Sequence, residues 1–297
     1  MKKYSLPSLL SLLFALSSFT TLAQSNQYLD FDGVDDFVSI NNASANIANS
    51  TQMTITGWFW DNQLSYGQGL MGFRATGGGF YLIQLNTGAI ECRFLNSAGT
   101  LYTYNAPSYT IVPQTWQHFA WVYNGSTISL YKNGTLVGST AAAGTITSST
   151  IPFTIGKSPL SGFNFVYSGR IDEVSVWNKA LTQTEIQNMI TNELTGTEAN
   201  LKLYYKFNQG VPGANNTSIT ALATEVNSPL YDGQFYNFAL DGATSNFNGT
   251  LNTTFQAISF PQIATQLSST SSVQLNATAS SGLPVTYTVE SGPATVN

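Results

Sequence analysis

The chain has 297 residues, of which 42% are hydrophobic, 13% aromatic and only 8% charged. That is ample material for a packed interior, so the low charge does not signal disorder, and the length admits one large β domain of about 200 residues plus something smaller. A net charge of −5 with ten Lys plus Arg provides no basic stripe, which argues against nucleic acid and anionic membrane surfaces as partners.

Residues 1–23 begin with two lysines, continue through an apolar run from Leu9 to Leu16 and end on Thr21, Leu22 and Ala23. This reads as a secretory signal peptide cleaved after Ala23, too short in its apolar part to span a bilayer, and it predicts a secreted or cell-surface protein. Cys92 is the only cysteine, so no internal disulfide can hold the exported chain together. It lies in the alternating run "AIECRFLN", where a buried inert thiol is expected.

From Gln27 to about Gly138 short apolar runs are broken by Gly, Asn, Ser or Pro every ten or so residues, the pattern of an all-β sandwich. The run "WQHFAWVYNGSTISLYKNGTLVG" predicts a three-stranded meander with type I′ turns at Asn124-Gly125 and Asn133-Gly134. Phe119, Trp121 and Tyr123 share one face of its first strand and Ala120 and Val122 the other, so that strand is expected to be central and covered on both sides. In "GRIDEVSVWN", Ile171, Val174 and Val176 are core-like, and the break in alternation at Asp172 and Glu173 predicts a bulge.

The one helix predicted is "LTQTEIQNMITNEL", with Thr182 as N-cap, Glu185 completing a capping box and Leu181 packing on Ile186 as a hydrophobic staple. In the following "LKLYYKFNQG", Leu201, Leu203, Tyr205 and Phe207 point one way and are expected to close the sandwich. Residues 211–256, rich in Asn, Gly and Thr, read as an appendage and linker. Residues 257–297 read as the start of an immunoglobulin-like β domain, about half of one, so more chain is expected to follow.

Three segments, "YLDFDGVDDFVSI", "WQHFAWVYNGSTISLYKNGTLVG" and "GRIDEVSVWNKALTQTEI", together resemble the laminin-G-like, concanavalin A-like jelly-roll domain of secreted bacterial proteins. The carboxy-terminal part is similar to the immunoglobulin-like repeats of large bacterial surface and adhesion proteins. The first resemblance covers residues 24–210 and implies a two-sheet β-sandwich, commonly carrying one structural calcium where its first and last strands meet. The acids can be read beside it. "DFDGVDD" gathers Asp30, Asp32, Asp35 and Asp36, half of the eight aspartates, around Gly33. Calcium takes six to eight oxygen ligands, and the adjacent Asp172 and Glu173 would repel each other without a cation between the two acidic stretches. The expected ligands are the carboxylates of Asp32 and Asp172 and the carbonyl of Gly33, with Asp30, Asp35 or Glu173 as alternates. The competing reading makes Asp32 a turn former and pairs Asp172 or Glu173 with Arg170, Lys179 or Lys202.

No catalytic residue is assigned. Related glycoside hydrolases place two carboxylates across a cleft, typically in a Glu-x-Asp-x-x-Glu strand, and that motif does not occur. Glu91 has no acidic neighbour nearer in sequence than Asp61, and His118, the sole histidine, reads as a satisfied strand residue. Tyr66, Tyr102, Tyr104, Tyr109, Phe163, Phe165 and Tyr167 lie in turn-rich stretches where rings can stack on sugars, though at this aromatic content many must be interior. The expectation is a calcium-stabilised, secreted or cell-surface recognition module for carbohydrate or protein ligands, part of a larger adhesion protein. A carbohydrate-active enzyme or its accessory domain, and a plain structural spacer, are the alternatives.

Overall fold

The computed structural model describes residues 26–250 apart from 42, 66, 76–77, 147–151, 159–164 and 227–228, together with 258–259 and 275–279. The chain divides into two units, residues 25–251 on the one hand and residues 1–24 with 252–297 on the other. The signal peptide lies outside the described residues. So does nearly all of the expected immunoglobulin-like segment, of which only a two-stranded pair, β19 (Ile258–Ser259) with β20 (Thr278–Ala279), is described.

The larger unit is a sandwich of two eight-stranded antiparallel sheets. The first contains β1 (Asn26–Asp32), β3 (Met53–Asp61), β8 (Gln117–Tyr123), β9 (Thr127–Lys132), β10 (Thr135–Ala141), β14 (Ser168–Trp177), β15 (Leu201–Tyr205) and β18 (Phe247–Thr250). Its order is β10-β9-β8-β3-β14-β1-β18, with β15 joining β14 beyond a bulge. The second contains β2 (Phe37–Ile40), β4 (Gln68–Ala75), β5 (Gly78–Gln84), β6 (Ile90–Leu95), β7 (Leu101–Asn105), β11 (Phe153–Ile155), β16 (Ala221–Leu222) and β17 (Gly233–Tyr236). Its order is β16-β17-β2-β11-β4-β5-β6-β7. A short pair, β12 (Lys157–Ser158) with β13 (Phe165–Val166), stands apart from both.

Alternation explains the core. Leu29 and Phe31 from β1, Ile55 and Phe59 from β3 and Phe119 and Trp121 from β8 meet Val38, Phe73, Phe80, Cys92, Phe94 and Phe153 from the second sheet, all buried. Phe80 stacks on Trp121 across the interface at 5.6 Å. Strand β8 sits between β3 and β9 and is buried along its whole length, as the two-sided pattern predicts. Its other face, Ala120 and Val122, lies under α1 (Gln183–Thr191) with Trp177, Leu181, Ile186 and Tyr204. Thr182 caps that helix, the capping box with Glu185 forms, and Leu181 and Ile186 share its cluster. The helix stops at Thr191, short of the predicted Leu194.

Three expectations are corrected. Asn133 and Gly134 both take positive φ, 48° and 73°, as a type I′ turn requires, whereas at 124–125 only Gly125 does. There the Asn124 side chain instead accepts the N–H groups of Ser126 and Thr127, making a looser turn. Leu201 leaves the face of Leu203, Tyr205 and Phe207 and packs with Trp177, because the pairing of β15 with β14 shifts between Val176 and Trp177. Residues 211–250 are not an appendage: β16 and β17 extend the second sheet beside β2, β18 extends the first beside β1, and Leu222 and Phe247 are fully buried.

Candidate functional site

Strand β14 runs antiparallel to β1 with Asp32 opposite Ser168 and Asp30 opposite Arg170. Gly33 abuts the same Ser168, whose Cβ is 2.7 Å from where a Gly33 Cβ would be. Asp172 is four residues farther along β14, about 13 Å at the strand rise. The structure therefore brings Asp32 and Gly33 together but not Asp172, and no single ion at calcium's ligand distance of about 2.3–2.6 Å reaches all three. What gathers at Asp32 is its own turn: carboxylate oxygens of Asp32, Asp35 and Asp36 lie within 4.8 Å of one another. Asp36 is buried and accepts from the Asp32 N–H at 2.9 Å and the Ser245 hydroxyl at 2.9 Å. Burial raises its pKa to about 7 against the pull of those bonds. Asp32 accepts from the Val34 N–H at 2.7 Å, the turn-forming role of the competing reading.

The two adjacent acids avoid repulsion without their neighbours at Asp32. The pairing of β14 with β3 slips between Asp172 and Ser175, the predicted bulge, and Glu173 takes a φ of 54° within it. Asp172 is buried and accepts the Glu173 N–H at 2.9 Å, while the Tyr204 hydroxyl donates to Glu173. Burial pushes the Asp172 carboxyl well above the usual range, reinforced by the charges of Glu173 and Glu193. Glu173 rises to about 7, chiefly by burial, with the Tyr204 bond and Lys206 lowering it and Glu193 and Glu225 raising it. The raised pKa values of both carboxyls and their hydrogen bonds to the Glu173 N–H and the Tyr204 hydroxyl ease the crowding of the two adjacent acids.

The outer face of the first sheet falls into two parts. One lies under α1; the other carries half-exposed aromatic side chains placed by alternation in β3, where Phe59 points inward and Trp58 and Trp60 point out. Arg170 is flanked by Trp60 on β3 and by β1, and its guanidinium carbon lies 5.0 Å from the ring centres of both Tyr28 and Trp60. Trp116 stands edge-on to Tyr28 at 5.5 Å and to Trp60 at 6.1 Å. Asp30 approaches Arg170 at 3.7 Å between Oδ2 and Nε. Burial raises the Asp30 pKa to about 6, with the Ser245 backbone N–H and Arg170 opposing the rise. A cation held between two rings, with a third ring packed on both, can stack on a sugar ring and supply N–H donors to its oxygens. Sequence reading missed this cluster; the signal was the alternation in "WFW" opposite "GRID", a polar strand segment between aromatic ones.

The other candidates sit elsewhere. Tyr167 and Phe165 are buried, Tyr102 and Tyr104 are half-buried against the core, and Tyr109 is exposed; Tyr66 and Phe163 lie outside the described residues. Glu91 is held by Arg93, with Nε 2.9 Å away, and accepts from the Tyr81 hydroxyl at 3.3 Å. Cys92 is buried, which drives its thiol pKa upward and leaves it unreactive. His118, edge-on to Trp58 at 5.4 Å, is buried and its pKa falls to about 3, so it stays neutral.

A family profile described as the concanavalin A-like lectin/glucanases superfamily matches residues 32–187, more than half of the 297. The chain belongs to this superfamily. The superfamily's sandwich also appears in a crystal structure of a Bacteroides ovatus protein assigned to carbohydrate binding, at 15% identity and a TM-score of 0.54. That match covers 72% of this chain and 59% of the other. A Ruminococcus gnavus IT-sialidase CBM40 matches at 17% identity and TM-score 0.45, over 56% of this chain and 99% of its own. The SAP-like pentraxin of Limulus polyphemus matches at 15% and 0.43, over 56% and 82%. At these identities the likeness speaks to fold alone. No curated protein matches the chain.

Proposed function

We propose that this superfamily member is an exported, non-catalytic carbohydrate-recognition module, serving adhesion at the cell surface, and that it binds glycan on the outer face of its first sheet. The observation that carries this reading is the placing of Arg170 between the rings of Tyr28 and Trp60, with Trp116 packed edge-on against both, on a partly exposed sheet face. Membership of a lectin/glucanase superfamily and the carbohydrate-binding assignment of the Bacteroides ovatus protein support it. A glycan array probed with the full chain tests it: binding is expected, and Trp60→Ala or Trp116→Ala should weaken it about tenfold or more. Undiminished binding in both variants would move the site elsewhere. Shortening of a bound polysaccharide on incubation would replace recognition with catalysis.

A structural calcium is proposed at the amino-terminal acidic turn, where the donor set is of the right kind. Asp32 and Asp35 are exposed, Asp36 is buried beside them, and carboxylates with water can complete a calcium shell. Asp172 is no part of this set. The bound ion would supply charge neutralisation to a crowded turn, not chemistry. Calorimetric melting at pH 7.5 with excess calcium and with EDTA should differ by several degrees, a difference removed by Asp35→Asn. Identical melting curves would dispose of the ion.

A further inference from the structure

We propose that Arg170 is the ligand-contacting cation of the aromatic face and that the glycan it takes carries a carboxylate; this deepens, and rests on, the glycan-recognition reading. Arg170 is held but not hydrogen-bonded. Its nearest anion, Asp30, comes to 3.7 Å of Nε, longer than a hydrogen bond, and Nε is buried with no acceptor. Among the described residues the terminal guanidinium nitrogens have no hydrogen-bond acceptor either, and 34% of the side chain is exposed. The pair with Asp30 is thus an ion pair without a hydrogen bond, which leaves the guanidinium N–H groups uncommitted.

The rings explain what this arrangement is suited to. Tyr28 and Trp60, each 5.0 Å from the guanidinium carbon, come from the elements on either side of β14 and fix the side chain between them. A fixed guanidinium loses little freedom on binding and offers two parallel N–H bonds, which match the two oxygens of a carboxylate. Trp116 meets both of these rings edge-on and extends the aromatic surface beyond them, where the ring of the same sugar can stack. Asp30 engages the Nε side, so it steadies the arginine without occupying its outer end. A uronic acid, or another sugar bearing a carboxylate next to an apolar ring face, satisfies both halves of the site.

The test uses the full chain on an array of matched neutral, carboxylated and sulfated glycans, then titration calorimetry with the best carboxylated hit and its carboxyl-reduced counterpart. The acid form should bind at least about tenfold tighter than the reduced form. Arg170→Gln should lower acid binding to the level of the reduced sugar, and Arg170→Lys should restore only part of the difference, since a point charge replaces a planar fork. If Arg170→Gln does not fold, the acid-to-reduced ratio of the unmodified protein decides alone. Equal affinity for both forms, or preference for neutral or sulfated sugars, overturns the carboxylate assignment and leaves glycan recognition standing. No binding to any sugar overturns both.

Discussion

At the scale of single residues, Glu173 is one of several carboxyls, with Asp30, Asp36 and Asp61, whose pKa is raised by burial and ties the fold to pH. Its carboxyl sits at a bulge with positive φ, receives the Tyr204 hydroxyl, and titrates near pH 7 because burial outweighs that bond. Glu193 after the helix and Glu225 beyond oppose its ionisation and Lys206 after β15 favours it, while the adjacent Asp172 is itself raised by the Glu173 charge. The sign follows from linkage. A carboxyl whose folded pKa is raised contributes stability that is complete below its unfolded value and lost as pH rises through the folded one. The protein is therefore expected to lose about 1–3 kcal/mol between pH 4.5 and 7.5 from this group. Urea unfolding at a series of pH values should show that slope, and Glu173→Gln, which keeps an acceptor for Tyr204 but cannot ionise, should flatten it. An equal slope in the variant would mean that Asp172 or another acid dominates.

At the scale of elements, what the sequence could announce was local. The capping box at Thr182, the turn at Asn133-Gly134 and the bulge at Asp172 each follow from the chemistry of a few contiguous residues. The meeting of Tyr28, Trp60, Trp116 and Arg170 does not, because it depends on the register of three strands and of a tryptophan that precedes a fourth. The misplacement of Asp172 beside Gly33 has the same origin: both stretches do lie on paired strands, but composition says nothing of a four-residue offset. That register is kept close by Gly169, which has a φ of 152°, and a Cβ there would lie 2.1 Å from the Trp60 carbonyl oxygen. The obstacle is backbone, which cannot step aside, so Gly169→Ala should force β14 away from β3 and cost about 2–4 kcal/mol. Denaturant unfolding measures the cost, and Trp fluorescence should shift as Trp60 loses its place against Arg170 and Trp116 its packing on Trp60. By contrast Thr182→Ala removes only a cap and should cost about 1 kcal/mol without altering that fluorescence. Equal effects of the two variants would contradict the distinction between framing a site and finishing a helix.

At the scale of the molecule, the sandwich needs chain well beyond the family-matched residues. The match ends at 187, and the jelly-roll reading ended at 210, because the stretch from 211 onward has weak apolar runs and many Asn and Gly. Sheet formation does not require strong runs at an edge, where a few ladder bonds and one or two anchors suffice. Here the anchors are Leu222 and Phe247, both fully buried, with Phe247 edge-on to Phe235 at 5.9 Å. The segment also ties to the beginning of the fold: the Ser245 hydroxyl donates to Asp36, and the Asp30 N–H donates to the Asn246 carbonyl at 2.9 Å. It thereby braces the strand that carries Tyr28 and Asp30 and the turn that carries the acidic cluster. Truncation after Gly210 should consequently strip one edge from each sheet, expose β1 and β2, and lose more stability than any single substitution considered above, about 5 kcal/mol or more from the buried area alone. A chain of residues 25–251 should instead melt in one cooperative transition by calorimetry. If the 25–210 chain melts as high and as sharply, the later strands are decoration, and the boundary read from composition was the physical one.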